Sequence, residues 1–291
     1  MDTRSLGPGA PRVTEVGLGG MPLSTPGRPD EAQGLAVIHA MLDAGVTLID
    51  TADVYCLNEA DLNANERLVA KGLATWRGDR SRIVVATKGG LSRSGDAWGI
   101  DGRPAAIRAA CERSLAALGV ERIDLYQHHR PDPDVPYAES IGAFADLQRE
   151  GKIRWVGLSN ASVEQIDAAR GQVEVVTVQN RLNPFFREAL EDGVVAHCRD
   201  LGIGFLAYSP VGGGRLNKTL PRHPVVARLA AAHRVSAHAV VLAWLLAQAP
   251  NVIIIPGART VAHALDAVAA ADVRLSPEDL AALDAAEFSR A

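Results

Sequence analysis

Only three cysteines are present, Cys56, Cys111 and Cys198, an odd number without metal-ligand spacing. That excludes a disulfide framework and a thiolate metal centre, and it leaves small hydrophobes suited to a reducing compartment. The eight histidines contain no HExxH or comparable pairing, so no metal site is expected. An excess of one charge is also lacking. Thirty Lys and Arg against 34 Asp and Glu give a formal net charge of -4, with no basic stripe to follow nucleic-acid phosphates. The longest apolar run, Ala239 to Ala247, is too short to cross a bilayer, and the opening MDTRSLGPGAPR lacks the apolar stretch of a signal peptide. We therefore expect a cytoplasmic protein with neither nucleic acid nor membrane as partner. Nothing in the sequence sets the oligomeric state. A glycine-rich dinucleotide fingerprint is missing as well, since GLGGMP and GGGRLN both lack the third glycine at its required place, which disfavours an open doubly wound sheet.

What is present is a repeating alternation. Short β-branched runs at 15–19, 47–51, 83–87, 123–127, 154–157, 175–179, 204–208 and 252–255 read as strands. Between them apolar residues recur at three-to-four spacing over 31–44, 65–75, 105–118, 138–150, 163–170, 189–200, 225–248 (broken near Ser236) and 261–270. A last helix over 278–286 takes Ser276 as N-cap and Pro277 at its first position. The strands are apolar throughout, as in NVIII, which implies burial on both faces and a parallel sheet. Eight such units in 291 residues predict an α/β fold, a (β/α)8 TIM barrel, as one domain over 1–291.

In such a barrel the carboxyl ends of the strands build the site. Strand two ends in DTADVY (Asp50 to Tyr55), strand three in TKGG (Lys88) and strand four in QHHRP (His128, His129). Strands five and six end in GLSN (Ser159, Asn160) and VQN (Gln179, Asn180), and strands seven and eight in AYSPVGGGR and IPGAR. Asp50, Lys88 and His129 fall on neighbouring strands, with Tyr55 one loop turn away. A lysine ammonium beside a tyrosine favours its phenolate, so a lowered tyrosine pKa is expected, with Asp50 holding the ammonium in place. The bland alternative is an Asp–Lys pair that merely satisfies two buried charges. Adjacent histidines in a strand face opposite ways, so only one of His128 and His129 can meet the site. The loops after strands seven and eight commonly bind phosphate. Here Gly212, Gly213 and Gly214 allow close backbone approach, Arg215 and Arg259 bring positive charge, and Tyr208 offers a flat face for an aromatic ring.

Taken in order, LIDTADVY, ATKGG, IDLYQHHRPDP, VGLSN, VQN, AYSPVGGG and IPGAR resemble the aldo-keto reductase superfamily over nearly the whole chain. The resemblance implies a catalytic tetrad of Asp50, Tyr55, Lys88 and His129, the histidine chosen because Arg130–Pro131 follows it. It implies reduction of a small aldehyde or ketone to an alcohol by hydride transfer from NADPH, NADH being the less favoured cofactor. Ser159, Asn160 and Gln179 would meet the carboxamide, Tyr208 the nicotinamide, and Ser209, Pro210, Val211, Gly212, Gly213, Gly214 and Arg215 the pyrophosphate. Gly20, Met21, Asp50 and Ile255 join the cofactor set, while Gly257 and Arg259 approach the adenosine 2'-phosphate. Relatives usually carry an arginine or glutamine and then an asparagine beside the adenosine, where this chain has His263, Asp266 and Ala267. The preference for NADPH is therefore open to test. Tyr55, His129 and Trp98, the last in the loop 91–104, are the substrate candidates, in a pocket left open by a short C-terminus. An alternative keeps the cofactor but not the turnover, as in the channel-associated regulatory branch of this family. Another is a nicotinamide-free isomerase or lyase binding a sugar phosphate at Gly212 to Arg215.

Overall fold

The computed structural model describes residues 1–290. The chain opens with an antiparallel hairpin of β1 (Thr3–Ser5) and β2 (Arg12–Thr14). Parallel strands β3 (Leu18–Gly19), β4 (Leu48–Asp50) and β5 (Val84–Gly89) follow, then a second hairpin of β6 (Leu91–Ser94) and β7 (Ala97–Ile100). Parallel pairing resumes with β8 (Ile123–His128), β9 (Ile153–Ser159), β10 (Val175–Arg181), β11 (Gly204–Tyr208) and β12 (Val252–Ile254). These eight strands form one curled sheet in which each lies beside its predecessor, only the second hairpin being skipped. Its two edges exchange backbone bonds: Gly17 N–H donates to Ile254 O at 2.8 Å, Ile254 N–H to Glu15 O at 3.0 Å, and Gly19 N–H to Pro256 O at 2.9 Å.

Helices fill the connections: α1 (Glu31–Asp43), α2 (Ala64–Thr75), α3 (Pro104–Leu118), α4 (Tyr137–Arg149), α5 (Val163–Arg170), α6 (Glu188–Glu191) and α7 (Val194–Asp200). Then come α8 (Gly213–Leu216), α9 (Pro224–His233), α10 (Ala237–Gln248), α11 (Val261–Ala269) and α12 (Pro277–Asp284). Their starts follow from local chemistry. Asp30 and Ser236 accept from backbone N–H groups at the first turns of α1 and α10, and Ser162 and Ser276 form reciprocal capping boxes. No single helix among the described residues is long and apolar enough to cross a membrane.

Three segments differ from expectation. The loop 91–104 folds largely as the β6–β7 hairpin, turning at Gly95, whose φ of +54° suits a residue without Cβ. The helix expected over 189–200 is two, because Gly193 at φ +76° interrupts it. The N-terminal hairpin was not anticipated, yet it fixes one end of the sheet. Its Leu6 and Val13 are fully buried in a cluster with Leu48, Leu125, Trp155, Leu206 and Ile253. Arg4 pairs with Glu15 at 3.0 Å and donates to the carbonyls of Leu246 and Ala249, tying the hairpin to the end of α10.

The strands alternate between two surroundings. Ile49, Tyr126, Val156, Val178 and Phe205 face the helices in the larger core cluster, while Leu48, Ala86, Leu125 and Leu206 line the sheet's inner surface. Going toward the carboxyl ends on that inner surface, the apolar residues give way to Asp50, Lys88, Gln127 and Gln179. All four are buried.

Beyond β4 the chain buries a second carboxyl, Asp53. Neither of its oxygens has a hydrogen-bond partner, and the closest cation, Arg113 Nη2, is 3.5 Å away. Burial, with a smaller push from nearby Glu66, raises its pKa from 3.8 to about 8, against the opposing pull of Arg113. The folded chain therefore keeps this proton up to about pH 8, whereas the unfolded chain releases it near 3.8. Stability contributed by Asp53 is complete below the lower value and declines as pH rises through that window. We predict that Asp53→Asn flattens the fall in melting temperature between those values and melts roughly 2–4 °C or more above wild type at the alkaline end. Parallel melting curves for the two proteins across the range would contradict this.

Candidate functional site

The inner polar layer is organised around the Lys88 ammonium, which has no exposure to solvent. Its three N–H bonds are all used: to Asp50 Oδ2 at 2.6 Å, to the Thr51 carbonyl at 2.9 Å and to Tyr55 Oη at 3.0 Å. The other Asp50 oxygen accepts from Gln179 Nε2 at 2.7 Å and Gln127 Nε2 at 3.1 Å. Because Tyr55 Oη accepts from Lys88, its own O–H remains free to donate. Period-two alternation along β8 explains the set, placing Gln127 and His129 on the inner side and His128 on the outer. His128 packs between Tyr137 and Phe144 in the helix-facing core, as expected for one of the two histidines, and burial lowers its pKa to about 4.

His129 stands edge-on to Tyr55 with ring centroids 5.8 Å apart. Burial, then the charges of Lys88 and Arg130, hold its imidazole well below the usual range, so it is neutral at pH 7, and its Nδ1 is buried without a partner. Burial works against the Lys88 charge, but Asp50 and the Tyr55 oxygen hold the ammonium above its usual value. For Tyr55 the expected direction is overturned. Burial raises the phenol above 10.0, and the attraction of Lys88 for the phenolate does not reverse it. A phenol held in this way keeps its proton at neutral pH.

Around this centre the other strand ends converge. Tyr208 Oη donates to Asn160 Oδ1 at 2.8 Å, and Asn160 Nδ2 donates to the His129 carbonyl at 3.0 Å and to Ser159 Oγ at 3.1 Å. Asn160 and Ser209 hold left-handed backbones, φ +57° and +49°, strain of the kind that accumulates at functional sites. Tyr208 and Asn160 border a cleft of about 750 Å³. Trp98, exposed on β7, lies 6.4 Å from Tyr55 between ring centroids and is covered by Arg93 at 4.5 Å.

The remaining candidates divide. Gly213 and Gly214 have open space above them, and Val211 is half-buried while Pro210 is buried. Arg215, expected to supply free charge there, instead donates to the Arg290 carbonyl at 2.6 Å. Gly257 packs so closely on Pro22 that a Cβ would approach its ring to 2.5 Å. Arg259 is exposed and reaches the Pro26 carbonyl at 3.1 Å, and His263 is exposed near it on α11. Ala267 belongs to the core, and Asp266 accepts from Ser236 Oγ at 2.7 Å. Ile255 is buried in the inner cluster. Gly20 donates from its N–H to the Asp50 carbonyl at 2.7 Å, and Met21 beside it is exposed. Gln127 was missed from the sequence, although its place two residues before His129 on one strand face would have shown it. The cleft also brings in Arg130 and Arg181, which follow His129 and Asn180 directly.

A profile of the aldo/keto reductase family matches residues 15–287. The chain is 35% identical to the probable aldo-keto reductase 1 of Glycine max, over 92% of this chain and 84% of that one. Its fold matches the glycerol dehydrogenase of Gluconobacter oxydans with a TM-score of 0.83 at 32% identity, covering 97% of this chain and 94% of the other. An aldo-keto reductase of Klebsiella pneumoniae, solved in complex with NADPH, matches with a TM-score of 0.80 at 30% identity, over 98% and 95% of the two chains. With this agreement along almost the whole sequence and a common architecture, the chain belongs to the aldo/keto reductase family.

Proposed function

We propose that the protein is a cytosolic, NADPH-dependent reductase of small aldehydes or ketones, built as a single closed (β/α)8 barrel, with Tyr55 as proton donor. The edge-to-edge bonds of Ile254 with Glu15 and Gly17 support closure. The observation that carries the functional reading is the line Asp50–Lys88–Tyr55, with every ammonium proton engaged and the phenolic O–H left free beside His129.

NADPH, when bound, supplies the hydride that reaches a carbonyl carbon. The chain's own residues then have distinct tasks. Tyr55 gives its proton to the carbonyl oxygen as negative charge grows there, and the Lys88 ammonium stabilises the phenolate left behind. Asp50, fixed by Gln127 and Gln179, keeps Lys88 charged and in register. Neutral His129 orients the substrate oxygen without competing as an acid. Trp98 forms one wall of the substrate pocket.

The residues present fit the cofactor. Ser159 and Asn160, with Gln179 behind them, offer amide and hydroxyl groups to a carboxamide, and the half-buried Tyr208 ring offers a stacking face. Uncovered backbone at Gly213 and Gly214, in the segment that begins at Ser209, leaves room for a pyrophosphate. Gly20 and Met21 lie beside the segment that carries Arg259, which donates to the Pro22 carbonyl at 3.4 Å. Exposed Arg259, near Gly257 and with His263 beside it, suits an adenosine 2'-phosphate, since a guanidinium binds phosphate through parallel hydrogen bonds.

Tyr55→Phe is predicted to bind NADPH with unchanged affinity and to lose at least about 100-fold in turnover of a reactive aldehyde, the scale of general-acid assistance. Near-wild-type turnover would remove Tyr55 from the role. For Arg259→Ala, losing a charge-assisted bond worth about 1.5–3 kcal/mol should weaken NADPH roughly 10- to 100-fold and leave NADH nearly untouched. Equal losses for the two cofactors, measured by fluorescence titration, would mean that Arg259 does not read the 2'-phosphate.

A further inference from the structure

Most cations in this molecule have partners. Arg4, Arg28, Lys71, Lys88, Arg103 and Arg108 are all in ion pairs. Two at the mouth do not. Arg130 and Arg181 are exposed, make no ion pair and donate no hydrogen bond among the described residues, and both line the cleft of about 750 Å³ beside Tyr208 and Asn160.

Their positions are set by the strands that carry them. Arg130 directly follows His129, whose carbonyl is held by Asn160 at 3.0 Å. Arg181 ends β10 in register with Tyr208 on β11, and its guanidinium lies 3.5 Å from the centroid of the Phe186 ring. That stacking leaves the guanidinium edge available while limiting its motion, so less entropy is lost when it binds a ligand. Of the acids on the same cleft, Glu188 is paired with Arg290 at 2.7 Å, Glu164 accepts from the Ser162 hydroxyl at 2.7 Å, and neither Arg130 nor Arg181 is bound by Glu164, Glu188 or Asp192 in an ion pair.

We propose that Arg130 and Arg181 recognise an anionic group on the substrate, making this a reductase selective for aldehydes or ketones that carry a carboxylate. The inference rests on the reduction proposed above and adds the substrate class. A planar carboxylate matches the guanidinium fork, and two such forks, at the ends of strands separated by β9, line the cleft that Asn160 and Tyr208 border. A neutral substrate of the same shape leaves both cations with water alone.

The test compares para-carboxybenzaldehyde with its methyl ester, which differ in charge but share the reacting group. Wild type should favour the acid in kcat/KM by roughly 10- to 100-fold, mainly through KM, the ratio expected for one or two charge-assisted contacts. Arg130→Met and Arg181→Met should each shrink the ratio and the double variant abolish it, with ester kinetics, NADPH affinity and melting temperature unchanged. Calorimetric binding of both compounds in the presence of NADP+ gives a readout independent of turnover. If wild type binds the acid in preference, through these arginines, yet reduces neither compound, charge recognition stands and the reductase reading falls. Equal binding of acid and ester by wild type overturns the proposal, as does a preference that survives in the double variant. A double variant that loses NADPH affinity while keeping the acid-to-ester ratio also overturns it, because the guanidiniums would then serve the cofactor.

Discussion

An ammonium group with no access to water is the constraint on which the rest of this site depends. Removing such a charge from solvent costs several kcal/mol, and only close, well-aligned partners offset it. Lys88 has three, and one of them, Asp50, is itself a buried charge that needs further donors. Those come from Gln127 and Gln179 on strands across the sheet. Four strands are thus committed to polar residues at one level of an otherwise apolar interior. The polar layer in turn requires that the opposite end be sealed, which the N-terminal hairpin does by burying Leu6 and Val13 against the strand starts.

The division of charge follows from this arrangement. A fixed cation lies beneath, a protonated phenol touches it, and a neutral imidazole stands beside the phenol. Burial keeps both Tyr55 and His129 uncharged, for opposite chemical reasons: it disfavours phenolate in one and imidazolium in the other. Under the proposed reduction, negative charge developing on a substrate oxygen would meet the Tyr55 proton, and Lys88, the cation that would stabilise the resulting phenolate, is already in contact. No side chain has to move into place, which is the form of electrostatic preorganisation that contributes most in enzymes. Outside this neutral rim stand the exposed guanidiniums of Arg130 and Arg181.

Much of this was legible in the chain. Eight apolar runs gave the strands nearly to their ends because strands buried on both faces need no alternation, and the polar residues directly after them marked the mouth. Asp50, Tyr55, Lys88 and His129 were named as candidates from those positions together with the family resemblance, and the structure groups them, with Lys88 bonded to Asp50 and Tyr55 and His129 edge-on to Tyr55. What could not be read is what depends on surroundings. The β6–β7 hairpin carries little apolar periodicity, so its pairing is set by the Gly95 turn and by Arg93 stacking on Trp98. The direction of the Tyr55 shift required knowing that burial outweighs Lys88, a comparison of magnitudes that sequence does not contain. Arg215 looked like a free cation until the structure joined it to the Arg290 carbonyl, and Arg181 looked unremarkable until its register with Tyr208 was known.

The central claim is that Tyr55 remains a phenol at neutral pH, in contact with a charged Lys88. Near-ultraviolet difference absorbance across a pH titration, wild type against Tyr55→Phe, isolates the ionisation of this one phenol. The signal missing from the variant should emerge only above the ordinary tyrosine value of about 10. A phenolate already formed at about pH 7 in wild type would contradict the account, because Tyr55 would then have no proton to give.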